Sequence, residues 1–226
     1  MLGARLVRDD ETGRREARIV EVEAYGGPED LASHARFAST ARNRVMAGPP
    51  GFAYVYLVYG MYDCLNVVTE PPGRPSAVLI RAVEPLLGID LMRADRIALD
   101  RRRRAGRTEA GAVAARRRLE RTPDHRLASG PGLVGAAFGI DTAWTGVDLC
   151  DPSSPLRLES AAGASDDPAA IVTPELVAVG TRVGVAYAGE AWAARPWRFA
   201  IAGHRSVSGP ASGWRDGRPP PAVPID

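Results

Sequence analysis

Glu23 closes an alternating run, Arg18-Ile19-Val20-Glu21-Val22-Glu23, and is followed by Ala24-Tyr25 and the turn-forming Gly26-Gly27-Pro28. A carboxylate at a strand end, beside an aromatic ring and a loop, can orient and deprotonate a water. It can also steady positive charge that develops next to it. The same spacing describes a surface glutamate on the wet face of a strand, as read for Glu21, and alternation by itself favours that plainer reading. Arg81 stands in an otherwise apolar strand-like run; a buried guanidinium needs an anionic partner, and either Glu23 or a phosphate would serve. Tyr54, Tyr56 and Tyr59 crowd a β-prone stretch, where cross-strand packing accounts for the first two and an exposed turn for the third. His34, His125 and His204 are scattered, with no CxxC or HxxxH spacing, so neither a metal site nor a cofactor is expected. Cys64 and Cys150 make no disulfide framework, and Cys64 reads as a buried free thiol. All 29 basic residues are arginine. Without lysine no side chain can form a Schiff base, which leaves only the amine of Met1.

Elements must position these groups. The length of 226 residues suits one domain, and 45% apolar residues suffice for a core. No signal peptide is visible and the apolar runs are too short to span a bilayer, so a cytoplasmic protein is expected. Residues 4–8 and 17–23 read as two strands of a hairpin, joined by the turn chemistry of Asp9 to Gly13. Residues 29–35 suggest a helical turn and residues 38–51 a turn-rich loop. Residues 52–59 and 61–68 form a second hairpin, broken at Gly60, with an aromatic tip. Residues 77–84 make a strand buried on both faces. A helical pattern starts at Pro85, with Leu87, Leu91, Ala94 and Ala98 on its apolar face. The run Arg101 to Arg104 and Gly106 interrupt it, and a second helix covers 110–121. Gly130-Pro131-Gly132 opens a short helix ending near Gly139, and residues 179–188 and 197–202 return to strands. Between Arg93 and Arg126, twelve arginines face five acids; such a run either meets anions or is a solvated helix face or loop. Helices and antiparallel strands are segregated, the pattern of an α+β fold. Residues 1–208 form the expected domain, and residues 209–226, rich in Pro and Gly, an expected disordered tail.

Three stretches together resemble the alkyladenine (3-methyladenine) DNA glycosylase family. The first is Glu21-Val22-Glu23-Ala24-Tyr25-Gly26-Gly27-Pro28-Glu29-Asp30 with Ser33-His34-Ala35-Arg36. The second is Arg42-Asn43-Arg44-Val45-Met46, then Tyr54-Val55-Tyr56-Leu57-Val58-Tyr59-Gly60-Met61-Tyr62, ending in Cys64-Leu65-Asn66-Val67. The third is Leu79-Ile80-Arg81-Ala82-Val83-Glu84-Pro85. Weaker echoes follow in Ser129-Gly130-Pro131-Gly132, Arg182-Val183-Gly184-Val185, Ala188-Gly189-Glu190 and Pro196-Trp197-Arg198-Phe199. The matches keep the family's order and span nearly the whole chain. Two features depart from it. The family begins with a helix before the first strand, whereas this chain opens at Leu2-Gly3, and Leu133 stands where the family commonly has a lysine that contacts the DNA backbone.

The resemblance implies a curved, mostly antiparallel sheet with surrounding helices and a protruding β-hairpin that intercalates into DNA. It implies a base-excision-repair hydrolase that flips a damaged purine from the duplex. Water activated by Glu23 would then hydrolyse the N-glycosidic bond, with Arg81 beside it. The substrates implied are 3-methyladenine, 7-methylguanine, hypoxanthine and ethenoadenine. The pocket would place Tyr56 on one face of the base, Tyr25 and His34 on the other, and Asn66 against the 2-amino group of normal guanine. Tyr59, with Met61 beside it, would fill the vacated stack, and Arg42 and Arg44 would contact the backbone. Tyr54 stays a packing residue. With no lysine, the enzyme is expected to be monofunctional and to leave an intact abasic site. It should act as a monomer on double-stranded DNA, nucleoid-associated when bound and with no membrane contact. Two rival readings are a catalytically silent damaged-DNA-binding module, which would have no use for Glu23, and an unrelated RNA-binding protein, which would have no use for Glu23, His34 and Asn66 together.

Overall fold

β2, Gly13–Tyr25, is the strand around which the sheet is assembled. In the computed structural model, which describes residues 1–37, 40, 42–103, 108–161 and 172–209, one flank of β2 pairs with β5 (Ala77–Leu87) along most of its length. Its other flank is shared. β1 (Arg5–Asp10) covers the first half, and β8 (Arg198–Ile201) covers Glu21, Val22 and Glu23. β3 (Ala53–Val58) and β4 (Tyr62–Val68) extend the sheet beyond β5. β6 (Leu156–Glu159) extends it beyond β1, and β7 (Val177–Gly180) beyond β8. All these pairings are antiparallel. The architecture is α+β, as expected, although β6 was not foreseen.

Two bulges decide which face the chemistry occupies. Pairing steps from Ile19↔Val83 to Glu21↔Ala82, passing over Val20, and from Glu21↔Ala82 to Val22↔Ile80, passing over Arg81. Side chains alternate with period two, so an extra residue reverses the phase. Ala17 and Ile19 point into the main core before the bulge and Val22 does so after it. Glu21 and Glu23 are thereby turned to the opposite face, with Arg81. The core face is closed by α1 (Ile89–Arg103) and α3 (Pro131–Ala137), through Met92, Val134, Ala137 and Phe138.

The helical pattern differs from expectation in two ways. β5 continues through Pro85 to Leu87, and α1 starts only after Gly88, whose φ of +71° and contact with the Arg14 carbonyl exclude a side chain. Met92 is buried while Ala94 and Ala98 are exposed, so the packed face is rotated from the one that Leu87, Leu91, Ala94 and Ala98 suggested. The helix runs through the arginine cluster as far as Arg103, which ion-pairs with buried Asp63; Arg104 and Gly106 lie outside the described residues. α2 spans Glu109–Glu120, capped by the Thr108 side chain. The expected strand 179–188 is only β7. Beyond Gly180 the chain leaves the sheet and crosses the site as a strap, with Gly184 and Gly189 at φ of +76° and +82°. A one-turn helix, α4 (Glu190–Ala193), follows it. Of the expected tail, residues 210–226 lie outside the described residues. No helix among the described residues is long and apolar enough to cross a membrane.

Candidate active site

A cavity of about 450 Å³ opens between the β3–β4 hairpin, the His34 turn and the strap, with Tyr25, His34, Tyr56, Asn66, Arg81 and Val183 in its lining. Behind that lining, in contact with three of its members, lies Glu23, which is fully buried. Oε1 accepts the Val183 N–H at 2.7 Å and faces Arg81 Nη1 at 3.2 Å. Oε2 accepts the Tyr25 hydroxyl at 2.8 Å. An ionised carboxylate accepts about four hydrogen bonds. Glu23 therefore sits just beneath the cavity lining, held by three of the groups that form it, with a lone pair of Oε2 unspent.

Arg81 is not available to a phosphate, because it is buried between two carboxylates. Its Nε lies 3.1 Å from Glu21 Oε1, its Nη1 faces Glu23, and its Nη2 donates to the Ser208 hydroxyl at 3.2 Å. Glu21 is no surface glutamate. It also accepts Arg198 Nε at 2.6 Å and the Ser208 N–H at 2.6 Å. Burying the two carboxylates is tolerable because two guanidiniums and several N–H and O–H donors satisfy them.

The strap is fastened independently. Asp30 and Arg182 form a bidentate, fully buried pair at 2.6 and 3.0 Å. Burial pushes the Asp30 carboxyl up, but Arg182 and the N–H groups of Gly26 and Ala32 more than offset this, holding it below its ordinary value. Arg182 also donates to the carbonyls of Ala24 and Trp192 and lies 4.9 Å from the centres of the Tyr25 and Trp197 rings. This pair places the Val183 amide on Glu23. Both fall in stretches quoted for the resemblance, but nothing there pairs them, since they are 152 positions apart.

The aromatic walls are held in defined protonation states. Burial, followed by the charge of Glu23, drives the Tyr25 hydroxyl far above its ordinary range, and burial does the same for Tyr56. Both remain phenols. Burial, reinforced by Arg42 and Arg36, lowers the pKa of His34 and keeps the ring neutral at pH 7. Tyr54, read as a packing residue, is buried and places its hydroxyl 2.9 Å from His34 Nδ1, so it also orients that ring. Whichever of the two donates, the contact fixes the plane of the imidazole. The His34 and Tyr56 rings meet edge-on, with centroids 4.5 Å apart. Asn66 spends both amide hydrogens on the Tyr54 and Cys64 carbonyls, at 3.0 and 3.2 Å, and forms a fixed wall. Cys64 is a buried free thiol whose pKa burial raises to about 11.

At the hairpin tip Tyr59 and Gly60 have φ of 50° and 66°, the turn that matches strand twist. Tyr59 is the sole non-glycine among the described residues with positive φ and is 88% exposed. Met61, also exposed, borders a smaller cleft with Tyr62 and Leu133 rather than the main cavity. Arg42 stands at the cavity rim, 5.6 Å from the Tyr56 ring centre, whereas Arg44 is exposed and is not part of the lining. The site residues missed from sequence are Glu21, Arg198, Ser208, Asp30, Arg182 and the Val183 amide. Pro196-Trp197-Arg198 and Arg182-Val183 had been quoted as motif echoes without a role.

The family model described as methylpurine-DNA glycosylase matches residues 1–205. A protein of Methanocella arvoryzae named "Putative 3-methyladenine DNA glycosylase" is 45% identical over 199 residues, which is 88% of this chain and 82% of that one. Proteins of the same name in Streptomyces avermitilis and Anaeromyxobacter dehalogenans are 41% and 43% identical, covering 92% and 94% of this chain and 83% and 80% of theirs. The chain therefore belongs to the methylpurine-DNA glycosylase family, whose members are hydrolases that act on DNA.

Proposed function

We propose that this protein releases alkylated or deaminated purines from double-stranded DNA by hydrolysing the N-glycosidic bond, with Glu23 activating the water. The observation that carries this is Glu23, with a lone pair of Oε2 unspent, held directly behind the wall of a tyrosine-lined cavity by Tyr25, Arg81 and the Val183 amide. The bond is inaccessible within a stacked duplex, so the nucleotide is extruded into the cavity. The base lies in the cavity between Tyr56 and Tyr25, with His34 bordering it. Electron-rich faces attract a cationic alkylated purine, and a neutral His34 adds no opposing charge. Asn66, held rigid by its two hydrogen bonds, excludes the 2-amino group of guanine.

As the bond to the base lengthens, positive charge develops on the sugar. Glu23 stabilises that charge and accepts the proton of the attacking water, while Arg81 and the Val183 amide hold its carboxylate in place. A cationic base such as 3-methyladenine or 7-methylguanine then leaves without an acid, whereas hypoxanthine and ethenoadenine must first be protonated. Tyr59 occupies the gap left in the stack. The protein acts as a monomer.

Single-turnover base release from duplexes carrying 3-methyladenine, hypoxanthine or ethenoadenine tests the reading. Glu23→Gln keeps the shape and should retain lesion binding while release falls by about 10²–10⁴-fold, the usual contribution of a positioned base. Undiminished release would remove Glu23 from the mechanism.

A further inference from the structure

The mouth of the cavity carries a cation that none of the chemistry above employs. Arg36 is half-buried, with its guanidinium carbon 4.4 Å from the centre of the Phe37 ring and 5.2 Å from that of Tyr187. Tyr187 belongs to the cavity lining and is 61% exposed, and its hydroxyl is fastened to the Ala32 carbonyl at 3.0 Å. It rides on the strap, fixed a few residues earlier by Arg182. Arg36 itself donates to the Leu31 carbonyl. Among the described residues no carboxylate pairs with Arg36 or with Arg42. A guanidinium has five donors, and Arg36 uses one. Two exposed aromatic faces, Phe37 and Tyr187, hold it at the rim instead of a neutralising acid.

Pre-ordered cations without a counter-charge at a pocket mouth are suited to an anion that arrives with the ligand. The anion that must accompany an extruded nucleotide is its own phosphodiester, because the backbone leaves the helical path with the sugar. A planar guanidinium takes two phosphate oxygens at once. We propose that Arg36, clamped between Phe37 and Tyr187, is a phosphodiester subsite that grips the backbone of the extruded nucleotide and not that of the stacked duplex. The subsite rests on the base-extrusion reading above. It stabilises the flipped state from outside the cavity, as the aromatic walls do from within.

The test is binding as a function of KCl concentration, with two probes. One is a duplex containing a tetrahydrofuran abasic analogue, whose backbone can be extruded without any chemistry. The other is the matched undamaged duplex. Arg36→Gln should weaken binding to the analogue about tenfold and lower its log–log salt slope by about 0.9, the value for one phosphate contact. Binding to the undamaged duplex should change less than about twofold. Arg36→Lys should keep the slope while losing part of the affinity, since it retains charge but not the planar fork. An unchanged slope for Arg36→Gln, or equal losses on both duplexes, would overturn the subsite. Phe37→Leu, which alters the clamp without touching charge, keeps the test decisive should Arg36→Gln fold poorly: its slope should equal that of the wild type, and a slope reduced as in Arg36→Gln would refute a charge-based role. If the wild type released no base from any lesion duplex while these slopes behaved as stated, the hydrolytic reading would fail and the subsite would stand.

Discussion

Glu21 and Glu23 lie two residues apart on one face of β2, both without solvent exposure, yet their surroundings divide them. Glu21 is saturated by Arg81, Arg198 and Ser208, while Glu23 keeps an acceptor site on Oε2 and is held by groups that line the cavity. Saturation suits a scaffold and incompleteness suits a base. The Asp30–Arg182 pair is the most enclosed ion pair near the site, and removing one partner leaves a buried charge. Asp30→Ala should cost about 3–5 kcal/mol in urea unfolding and should also slow base release, because the Val183 amide loses its anchor. A lowered carboxyl pKa means that the stability it contributes is present above the unfolded value of 3.8 and is lost as pH falls below it. Unfolding measured from pH 5 to pH 2 should therefore show a flatter acid limb for Asp30→Asn than for the wild type; identical limbs would contradict the pairing. Glu23, Tyr25, His34, Tyr56, Asn66 and Arg81 were legible because they sit in dense local motifs. Arg198 and Ser208 were not, because their link to Glu21 spans 177 and 187 positions and no local pattern encodes such a meeting.

The β3–β4 hairpin presents Tyr59 on a strained backbone, at a tip that meets nothing within the protein around Gly60. Strain at an exposed aromatic suggests a use elsewhere, and the proposed wedge into a stack would be such a use. Tyr59→Ser should leave folding intact, since so exposed a side chain contributes little to the core, and should weaken binding to lesion duplexes about tenfold. Equal affinity would argue against the wedge. The hairpin could be read from the sequence because alternation, β-branched residues and Gly60 coincide there. The strap could not: Thr181 to Ala188 is as β-prone as many strands, and its departure from the sheet follows from Gly184 and the tertiary pull of Asp30. The α1 face failed for a related reason. Periodicity gives the period, whereas the phase was set by how β5 ends at Gly88.

At the scale of the molecule, an arginine-only basic repertoire bears on the reaction itself. Strand scission by β-elimination proceeds through an amine–sugar Schiff base, and no side chain supplies the amine. Incubation with lesion DNA should yield abasic sites that break only after added alkali, and borohydride should trap no covalent complex; a trapped adduct would refute monofunctional hydrolysis. Charge is distributed unevenly as well, with the excess of arginine on and around α1 and α2. Finally, the extra residue at Val20 works like a parity bit. Were Val20 paired like its neighbours, with no bulge to absorb it, everything downstream in β2 would change sides: the two glutamates would be driven into the oily interior, and Val22 would be turned out of the core in their place. Substitutions along this strand are graded insults, whereas a residue gained or lost between the bulge and Glu23 would exchange inside for outside, so natural variants of this sheet should tolerate altered letters at positions 21–23 far better than an altered number of them.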